Sequence, residues 1–573
     1  MLVWSWLLLV VYALIGDATA AAVPPSPPII ADEGLRNANH IFNAIHSSMR
    51  QWGSSLNHNG MSLFLAQVPA GTQFYHGTGR AEPVRGMEWL AFEPEHAVNF
   101  ARSFGGKAGG TPFGRTRYDG TEGRHSRASS EEEHGDSIAS SAERRVESPS
   151  SPIDRPLDSR LVPADTQVAH LPHRDIQHPF RANPDHEPEP PRRRPRPTMP
   201  GWLHTYKTKT DLPLLYIDGM SAGKCDKGTL DTQDILLLNA TNESDGVFWE
   251  YERAERLCHM ASETWNGKIK GFIRMESGFE VILCSFAEDL DFIQAVRAGP
   301  FAGGKDSSDP DDESPPRWHL SDWIRAITAR YDGIGGGRVK LDYDNFVTAY
   351  DYNLELFTQN DGLPRLGNAS VGVLEKIRGD VDAMVHNWDP SLAFPSVDWQ
   401  NIADMVVERY AKQLKYLVSG AFTTSQQLSD ELSSFLRVFV DSDARNTTAE
   451  VGRCATQFIP HSGELETVST RSIRSVTTAI CSTLFAALDA KSSFTDSVSS
   501  LHSLIEYLDW TVWKRCPECP LGQVCFIPIW PFGAVEDRDN PQCRNLTDLD
   551  GRMGYWAGFG PGHPPHNRSG TDA

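Results

Sequence analysis

The chain contains 573 residues and carries a formal net charge of −21 at pH 7. A polyanion is repelled by an acidic surface before contact forms, so this charge excludes nucleic acid as a general partner. The acidic balance is typical of a well-solvated, soluble exterior.

The chain begins with MLVWSWLLLVVYALIGDATA, an apolar stretch that is too short to span a bilayer and that ends in the small-residue pattern ATA. This pattern predicts a secretory signal peptide over residues 1–20. No Lys or Arg precedes the apolar stretch, and an uncleaved anchor is the alternative. No later segment reaches about 18 uninterrupted apolar residues, so we predict no transmembrane span after the signal peptide.

Sequons for N-glycosylation agree with a secretory route. Each precedes a Ser or Thr by two positions: Asn239, Asn242, Asn368, Asn446, Asn545 and Asn567. We therefore expect a glycoprotein that is secreted or that resides in the lumen of the secretory pathway.

The cysteines also favour an oxidising compartment. The chain has nine, and four are grouped near the C-terminus: Cys516, Cys519, Cys525 and Cys543. Three pairings of these four are possible, and a zinc site is the alternative interpretation of the Cys-x2-Cys spacing. Because the total is odd, at least one thiol is free or intermolecular, and Cys258 and Cys481 are the candidates.

The composition changes between residues 105 and 199, where Gly, Ser, Pro, Arg, Glu and His dominate. Such a segment buries too little apolar surface to offset the entropy of ordering it, so we predict a disordered insertion. The segment before it is too short to build a core alone. Residues 30–104 are therefore expected to complete an α+β domain with residues 200–360.

Periodicity predicts the elements of that domain. The segment GLRNANHIFNAIHSSMRQW reads as a helix, TQFYHGT as a strand and EPEHAVNFARSF as a second helix. After the insertion, LHTYKTK, LPLLYID and DILLLN read as strands, and residues 247–265 as an amphipathic helix. GKIKGFIRME and GFEVILCSF predict a hairpin bent at Ser277-Gly278. A Gly-rich turn at residues 333–337 leads into a last strand, GRVKLDYDNFVTAY.

Strand patterns disappear after about Leu363. Residues 363–515 carry five segments with apolar residues at helical spacing, which predicts a helical bundle. Residues 516–573 form a tail rich in Cys, Pro and Gly. The expected fold class is thus α+β, with an insert-split domain of mixed helices and strands, a C-terminal helical bundle and a disulfide-rich tail.

The segment GTQFYHGTGRAEPVRGMEWLAFEPEHAVNFA, residues 71–101, holds the most specific motif. Within it, His76 ends a strand, Gly77 permits close backbone approach and Thr78 supplies a hydroxyl group. This Tyr-His-Gly-Thr strand, with the strand and helix that follow it, resembles the first two motifs of the ADP-ribosyltransferase superfamily. The resemblance implies that the domain binds NAD and transfers ADP-ribose to a protein acceptor.

The resemblance also implies roles for single residues. His76 would contact the ribose, Gly77 the nicotinamide amide, and Phe92 or Trp89 would lie near the nicotinamide ring, with Thr78 beside them. The family usually has a Tyr where this chain has Leu90 or Phe92, which leaves the ring contact open.

The catalytic carboxylate of the family's third motif has two candidates, Glu276 and Glu280 in RMESGFEVIL. Either could stabilise an oxocarbenium-like centre. The catalytic set predicted from the resemblance is therefore His76, Glu280 and Glu276, with NAD as cofactor and no metal.

Two other functions remain open from the sequence. The first is a non-enzymatic extracellular interaction protein that uses its insertion and bundle to contact a partner. The second is a serine hydrolase, because Gly219-Met220-Ser221-Ala222-Gly223 fits the G-x-S-x-G pattern after an apolar strand. A nucleophile elbow requires a helix directly after the serine, whereas the residues that follow Ser221 are typical of a turn.

Overall fold

A computed structural model describes residues 35–104, 198–240, 250–299, 320–359, 361–394, 397–460, 466–489, 493–549 and 552–556. The predicted signal peptide, the insertion between residues 105 and 197, and the sequons at Asn242 and Asn567 lie outside these ranges.

Most strands belong to one large mixed sheet. The strands, in chain order, are β1 Asn59–Val68, β2 Gln73–Thr78, β3 Glu88–Ala91, β4 Arg102–Phe104, β5 Thr198–Pro200, β6 Trp202–Thr208, β7 Leu212–Gly219, β8 Gly271–Met275, β9 Phe279–Leu283, β10 Leu290–Arg297 and β11 Lys340–Thr348. The order across the sheet is β10-β6-β2-β3-β9-β8-β7-β1-β11. Neighbouring strands run antiparallel except for β7 and β8, which are parallel. Strand β1 is buried along its whole length, so side chains cover it on both faces.

Helices precede, interrupt and follow the sheet. They are α1 Ala38–Ser47, α2 Gln51–Leu56, α3 Pro94–Val98, α4 Glu250–His259, α5 Phe286–Asp289, α6 Leu320–Thr328, α7 Val371–Asn387, α8 Trp399–Leu417, α9 Ser425–Leu436, α10 Thr447–Thr456, α11 Val468–Leu488, α12 Phe494–Leu508 and, in the tail, α13 Val535–Asp539. The tail also forms a two-stranded ribbon of β12 Gln523–Phe526 and β13 Gln542–Asn545. The fold class is therefore α+β with a C-terminal set of helices, as the sequence predicts.

The helical layer is built around α11, which packs against α1, α10 and α12. Helix α1 comes from the start of the chain, and its polar side chains are used for docking. Asn43 donates to the carbonyl oxygen of Leu508 at 3.0 Å, and Ser472 donates to that of Ala38 at 2.9 Å. The larger of two clusters of buried apolar residues contains side chains of α1, the sheet and the C-terminal helices, so the N-terminal helix joins both layers. The smaller cluster joins α2 and α6 to the tail.

Three local predictions are wrong. DILLLN is not a strand but part of a π-helical turn, Thr232–Leu237; a short apolar run fits a buried helix as well as a strand. The helix predicted over EPEHAVNFARSF ends at Val98, and Arg102–Phe104 instead pairs as β4 with β5. Strand β10, which forms one edge of the sheet, was not predicted.

The cysteines form four disulfides. Cys258–Cys284 joins α4 to the residue after β9, and Cys454–Cys481 joins α10 to α11; the tail has Cys516–Cys525 and Cys519–Cys543. The prediction of a free thiol at Cys258 or Cys481 is therefore wrong, because both are bonded. The free thiol belongs to Cys225, which is half-buried beside Thr229. The tail sulfurs are bonded to each other, and the zinc interpretation is not supported.

No helix within the described ranges is both long enough and apolar enough to cross a membrane. The chain leaves the sheet domain after β4 and re-enters it through β5, and these two short strands pair with each other. The two ends of the segment between them therefore lie side by side.

Gly77 of β2 faces the backbone of α3. A Cβ atom placed on Gly77 would collide with the carbonyl oxygen of Ala97 and lie 2.8 Å from the Ala101 nitrogen. The residue therefore allows a helix to approach the strand closely, whatever else it does.

We expect Gly77→Ala to displace α3 and to lower the free energy of unfolding by about 1–3 kcal/mol, because neither backbone segment can yield without strain. Gly86→Ala is the matched control, since nothing lies within 4 Å of its Cβ position, and it should change stability by less than about 0.5 kcal/mol. Equilibrium urea unfolding compares the two. Equal effects of both variants would contradict the packing argument.

Candidate active site

Helix α3 is held in place by a cluster of charges at its start. Glu93, which precedes Pro94, accepts hydrogen bonds from Arg330 at 2.6 Å and from Arg338 at 2.7 Å. Arg338 also donates to the carbonyl oxygen of Phe92 and lies over the Phe92 ring at 5.4 Å. The glycines before Arg338 adopt positive φ angles, which favours glycine at these positions. The predicted Gly-rich turn thus presents an arginine to the helix that carries His96.

The hairpin of β8 and β9 provides the acidic side of the site. Arg274 on β8 is paired with Glu280 on β9. The turn between the strands contains Glu276, whose backbone nitrogen donates to the Gly278 carbonyl oxygen at 3.1 Å. Gly278 lies against α3: a Cβ atom there would be 3.4 Å from Nδ1 of His96. Hairpin turn and helix are therefore in direct contact.

This contact brings His96, Glu276 and Glu280 together. One ring nitrogen of His96 and one carboxylate oxygen of each glutamate all lie within 4.8 Å of one another. The three residues are 4%, 9% and 6% exposed, respectively. Titratable side chains are rarely buried to this extent unless they are paired or functional.

Each carboxylate has its own cationic partner. The Lys224 ammonium group donates to Glu276, and Nε of Arg274 donates to Glu280 at 2.8 Å. Glu250 connects the two pairs, because it accepts from Arg274 and its carboxylate lies 3.5 Å from the Lys224 nitrogen. The network is therefore continuous from Lys224 to Glu280.

A second set of groups supports Arg274 and Glu250. Arg274, which is fully buried, also donates to the side-chain oxygen of Gln233 at 2.9 Å. Arg253 donates to Glu250 at 2.9 Å and, through two nitrogens, to Asp234 at 2.8 and 2.9 Å. Gln233 and Asp234 lie in the π-helical turn that replaces the predicted strand. That turn therefore supplies polar side chains to the network.

Burial shifts the protonation equilibria of these groups. Burial raises the pKa of Glu280, and the adjacent Glu276 carboxylate adds to this effect while Arg274 opposes it. Burial lowers the pKa of His96 despite the nearby carboxylates, so its ring is neutral at pH 7. Burial also lowers the pKa of Lys224, and Glu276 acts against this change. The site thus combines a carboxyl group that retains its proton to higher pH with a neutral imidazole.

A His, Glu and Glu set has the ligand chemistry of a divalent metal site. In this fold, however, the Lys224 ammonium and the Arg274 guanidinium already donate to the two carboxylates. These two positive charges would repel a metal ion, and each already donates to one oxygen of its carboxylate. The arrangement therefore favours acid–base or nucleophilic chemistry over metal binding.

Aromatic side chains lie beside the carboxylates. Half-buried Trp89 and Tyr251 pack together with ring centroids 6.2 Å apart. Trp89 is on the same face of the sheet as Glu280, one residue pair further along β3 and β9. Trp530 of the tail lies against Lys224 with the ammonium nitrogen 5.3 Å from its ring centroid. Aromatic rings therefore lie near both the sheet face that carries Glu280 and the Lys224–Glu276 pair.

The two predicted carboxylates therefore meet, but His76 lies elsewhere. Directly paired residues share a face of the sheet, and successive residues alternate. Tyr75, Ala91, Glu280 and Arg274 are aligned by pairing across four strands, so His76, next to Tyr75, faces the other way. Its Nδ1 donates to the carbonyl oxygen of Trp89 at 2.7 Å, and its ring packs against those of Phe286 and His204.

The other residues assigned to nicotinamide contacts also have structural roles. Phe92 is buried on the His76 face and packs on Phe74 with ring centroids 4.9 Å apart. Thr78 is half-buried at the end of β2 and is paired with Trp202. NAD binding at His76, Gly77, Thr78 and Phe92 stays a prediction.

Ser221 is fully buried, and its hydroxyl group donates to the carbonyl oxygen of Ile217 at 2.8 Å. A turn follows it rather than a helix. A nucleophilic serine must be exposed at a strand-to-helix turn, so Ser221 has no part in the proposal below.

Sequence reasoning missed four members of the site: His96, Lys224, Glu250 and Arg274. His96 is within the quoted 71–101 motif, and its position on a helix after a strand was a usable signal. The other three are brought to the site only by tertiary packing. A separate groove of about 410 Å³ lies in the tail between Trp513 and Cys543, and no residue of the site lines it.

Comparison with known proteins places most of this site in one matched region. Residues 29–300 match the model of a family described as the YPL277C N-terminal domain. The chain is 25% identical to the uncharacterized protein YOR389W of Saccharomyces cerevisiae, over 88% of this chain and 84% of that protein. It is 30% identical to the uncharacterized protein YPL277C of the same yeast, over 53% of this chain and 54% of that protein. No solved structure matches the chain.

We expect Arg274→Met to destabilise the fold by about 3–5 kcal/mol, because Glu280 and Glu250 would stay buried without their shared cation. Arg325→Met is the matched control, since Arg325 forms an exposed pair with Asp322 at 3.6 Å that contributes at most about 1 kcal/mol. Urea unfolding monitored by tryptophan fluorescence measures both. A loss for Arg274→Met no larger than that of the control would contradict a stabilising role of the network.

Proposed function

We propose that the chain is an enzyme that cleaves a glycosidic bond, with Glu276 and Glu280 as its catalytic carboxylates. The observation that carries the proposal is the position of one oxygen from each carboxylate within 4.8 Å of the other, in a buried site beside His96. Retaining glycosidases hold their two carboxyl groups about 5–5.5 Å apart, whereas inverting enzymes leave about 6.5–9.5 Å for a water molecule. The two oxygens are closer than the separation in inverting enzymes, which favours a double displacement with retention.

The environments of the two carboxyl groups assign their roles. Glu276, paired with the Lys224 ammonium group, is the carboxylate that attacks the anomeric carbon as the bond to the leaving group breaks. Glu280, whose pKa is raised by burial, gives its proton to the departing oxygen. In the second step Glu280 takes a proton from the water that displaces Glu276, so both groups return to their starting states.

NAD is the first substrate to test, since its ribose–nicotinamide bond is glycosidic and the sequence motif resembles that of ADP-ribosyltransferases. Its cleavage needs a carboxylate to stabilise the oxocarbenium-like transition state, but the nicotinamide leaves as a neutral base and requires no proton. Glycosides with a poor leaving group, whose oxygen must be protonated as it departs, are the second class. The two classes therefore place different demands on Glu280.

We further propose that the enzyme is a glycoprotein of the secretory pathway. Four disulfides are typical of an oxidising compartment. The sequons within the described ranges are exposed to solvent at Asn239, Asn368, Asn446 and Asn545, as glycan attachment requires. Treatment of the protein secreted by a fungal host with an endoglycosidase tests this assignment by the loss of mass.

The central test compares Glu276→Gln and Glu280→Gln in the purified mature protein. With a poor leaving group, each should lower kcat/KM by about 10²–10⁴-fold. The leaving groups of a nitrophenyl glycoside and of NAD need little protonation. With these substrates the kcat/KM of Glu280→Gln should be close to that of the wild type, whereas the kcat/KM of Glu276→Gln should stay low. Glu288→Gln, on an exposed position shortly after β9, is the control. Wild-type-like rates in both site variants would refute the proposal.

Activity should fall as pH rises through the raised pKa of Glu280, because the acid must be protonated when the bond breaks. Glu280→Gln should abolish the alkaline limb of the profile. The variant His76→Ala compares the two substrate classes. It should leave the rate of glycoside cleavage unchanged. Loss of NAD cleavage alone would support the contact between His76 and the ribose that the sequence motif implies.

Incubation with EDTA should leave activity unchanged, because the positive charges of Lys224 and Arg274 beside Glu276 and Glu280 would repel a metal ion. Activity is measured before and after chelation and again with added Zn²⁺ or Mn²⁺. Loss on chelation and recovery with one of these ions would overturn the acid–base mechanism in favour of a metal held by His96, Glu276 and Glu280.

A further inference from the structure

The C-terminal tail contributes a tight turn to the outer side of the site. Ile529 and Phe532 bridge this turn through reciprocal backbone hydrogen bonds, and Trp530 is 4% exposed within it. The turn is remote in sequence from every other residue of the site. Its contacts with the site are therefore a product of the tertiary fold.

Trp530 contacts the segment that carries Lys224. Its indole nitrogen donates to the carbonyl oxygen of Lys224 at 3.2 Å, and the Lys224 ammonium nitrogen lies 5.3 Å from the ring centroid. Its ring also comes within 3.6 Å of the Cβ position of Gly223. One side chain thus fixes both the backbone and the charged end of Lys224.

Phe532, on the other side of the turn, reaches the imidazole through one intermediate residue. Its ring lies edge-on to Trp323 at 5.8 Å, and the Trp323 ring is 6.0 Å from that of His96. The turn therefore contacts Lys224 through Trp530, and it approaches His96 through the Phe532–Trp323 contact.

Other residues of the tail restrain the conformation of this turn. The backbone of Gly533 exchanges hydrogen bonds with Arg552 and Tyr555, and Trp556 donates to the carbonyl oxygen of Phe532 at 3.0 Å. Buried Asp537 accepts from Arg552 and from Arg544, each at 2.9 Å. The disulfides Cys516–Cys525 and Cys519–Cys543 brace the adjacent ribbon. Few motions are open to a turn restrained in this way.

We infer that the turn Ile529–Phe532 is the outer wall of the active site and that Trp530 is a positioning residue for the Lys224–Glu276 pair. The assignment of Glu276 as the nucleophile rests on the proposed function, whereas the constraint on Lys224 does not. Loss of the Trp530 contacts frees Lys224 to rotate into solvent and weakens the electrostatic support of the Glu276 carboxylate.

Trp513 offers a matched control within the same molecule. Its indole nitrogen donates to the carbonyl oxygen of Ala411 at 2.9 Å, and the Lys415 ammonium nitrogen lies 5.2 Å from its ring centroid. Trp513 therefore makes the same two interactions as Trp530, an indole hydrogen bond and a lysine over the ring, away from the site.

The test measures the rate at which an amine-acylating reagent modifies Lys224 in the intact mature protein, by peptide mass spectrometry. We expect Trp530→Phe, which keeps most of the ring volume, to raise this rate about 5–10-fold, since the backbone anchor is lost. Trp513→Phe should leave the acylation rate of Lys224 unchanged. Trp530→Ala should enlarge the effect at Lys224 if it folds, and circular dichroism decides whether it does.

A Lys224 rate that Trp530→Phe leaves at the wild-type value, or that Trp513→Phe raises equally, would overturn the inference. For the catalytic half, Trp530→Phe should lower kcat by about tenfold with little change in KM. Unchanged kcat together with faster Lys224 acylation would show that the turn positions Lys224 but that this lysine does not support catalysis by Glu276, whose own role is decided by Glu276→Gln.

Discussion

The buried guanidinium group of Arg274 is the interaction on which the rest of the site depends. A charge without water is costly unless its donors are all used and opposite charges surround it. Here Glu280, Glu250 and Gln233 accept from it, and each comes from a different part of the chain. The β-hairpin, helix α4 and the π-helical turn must therefore reach their final positions together. The network that fixes the sheet to α4 also holds Glu280, the carboxyl group that we propose as the general acid, so the proposed chemistry and the stability of the fold depend on the same atoms.

The register of the sheet then decides which side chains can cooperate. Glu280, Ala91 and Tyr75 are aligned by direct pairing across three strands, and this places the acidic pair on the face that α3 covers. Helix α3 can lie close to the sheet because Gly77 has no side chain, and its start is held by Glu93 between two arginines. His96 reaches the carboxylates from this helix. His76 lies one residue further along β2 than Tyr75, and this single step is enough to turn it to the opposite face.

The sequence predicted features that depend on near neighbours in the chain. Ser277-Gly278 between two apolar runs was sufficient to predict the hairpin, and with it the carboxylates of Glu276 and Glu280. The sequence could not predict which face of the sheet carries the His76 side chain. Alternation along one strand does not show which of the two faces other segments cover. DILLLN was misread since a short apolar run fits either a strand or a buried helical turn. Lys224, Glu250 and Trp530 enter the site through contacts between distant segments, and no local pattern marks them. The unpaired cysteine was expected from the odd total, but its identity followed from the pairing of Cys258 with Cys284.

The tail explains how a site made of scattered segments can exclude water. Carboxylates act strongly as acid and nucleophile only where solvent is kept away, and the edge of a hairpin is by itself open. Trp530 packs against Lys224, and Phe532 packs against Trp323 next to His96, but a turn so far along the chain would lose considerable entropy on docking. Disulfides within the tail reduce this cost, since they limit the conformations of the undocked segment. The cysteines that first suggested an oxidising compartment therefore have a direct physical connection to the site: they pre-organise the wall that closes it.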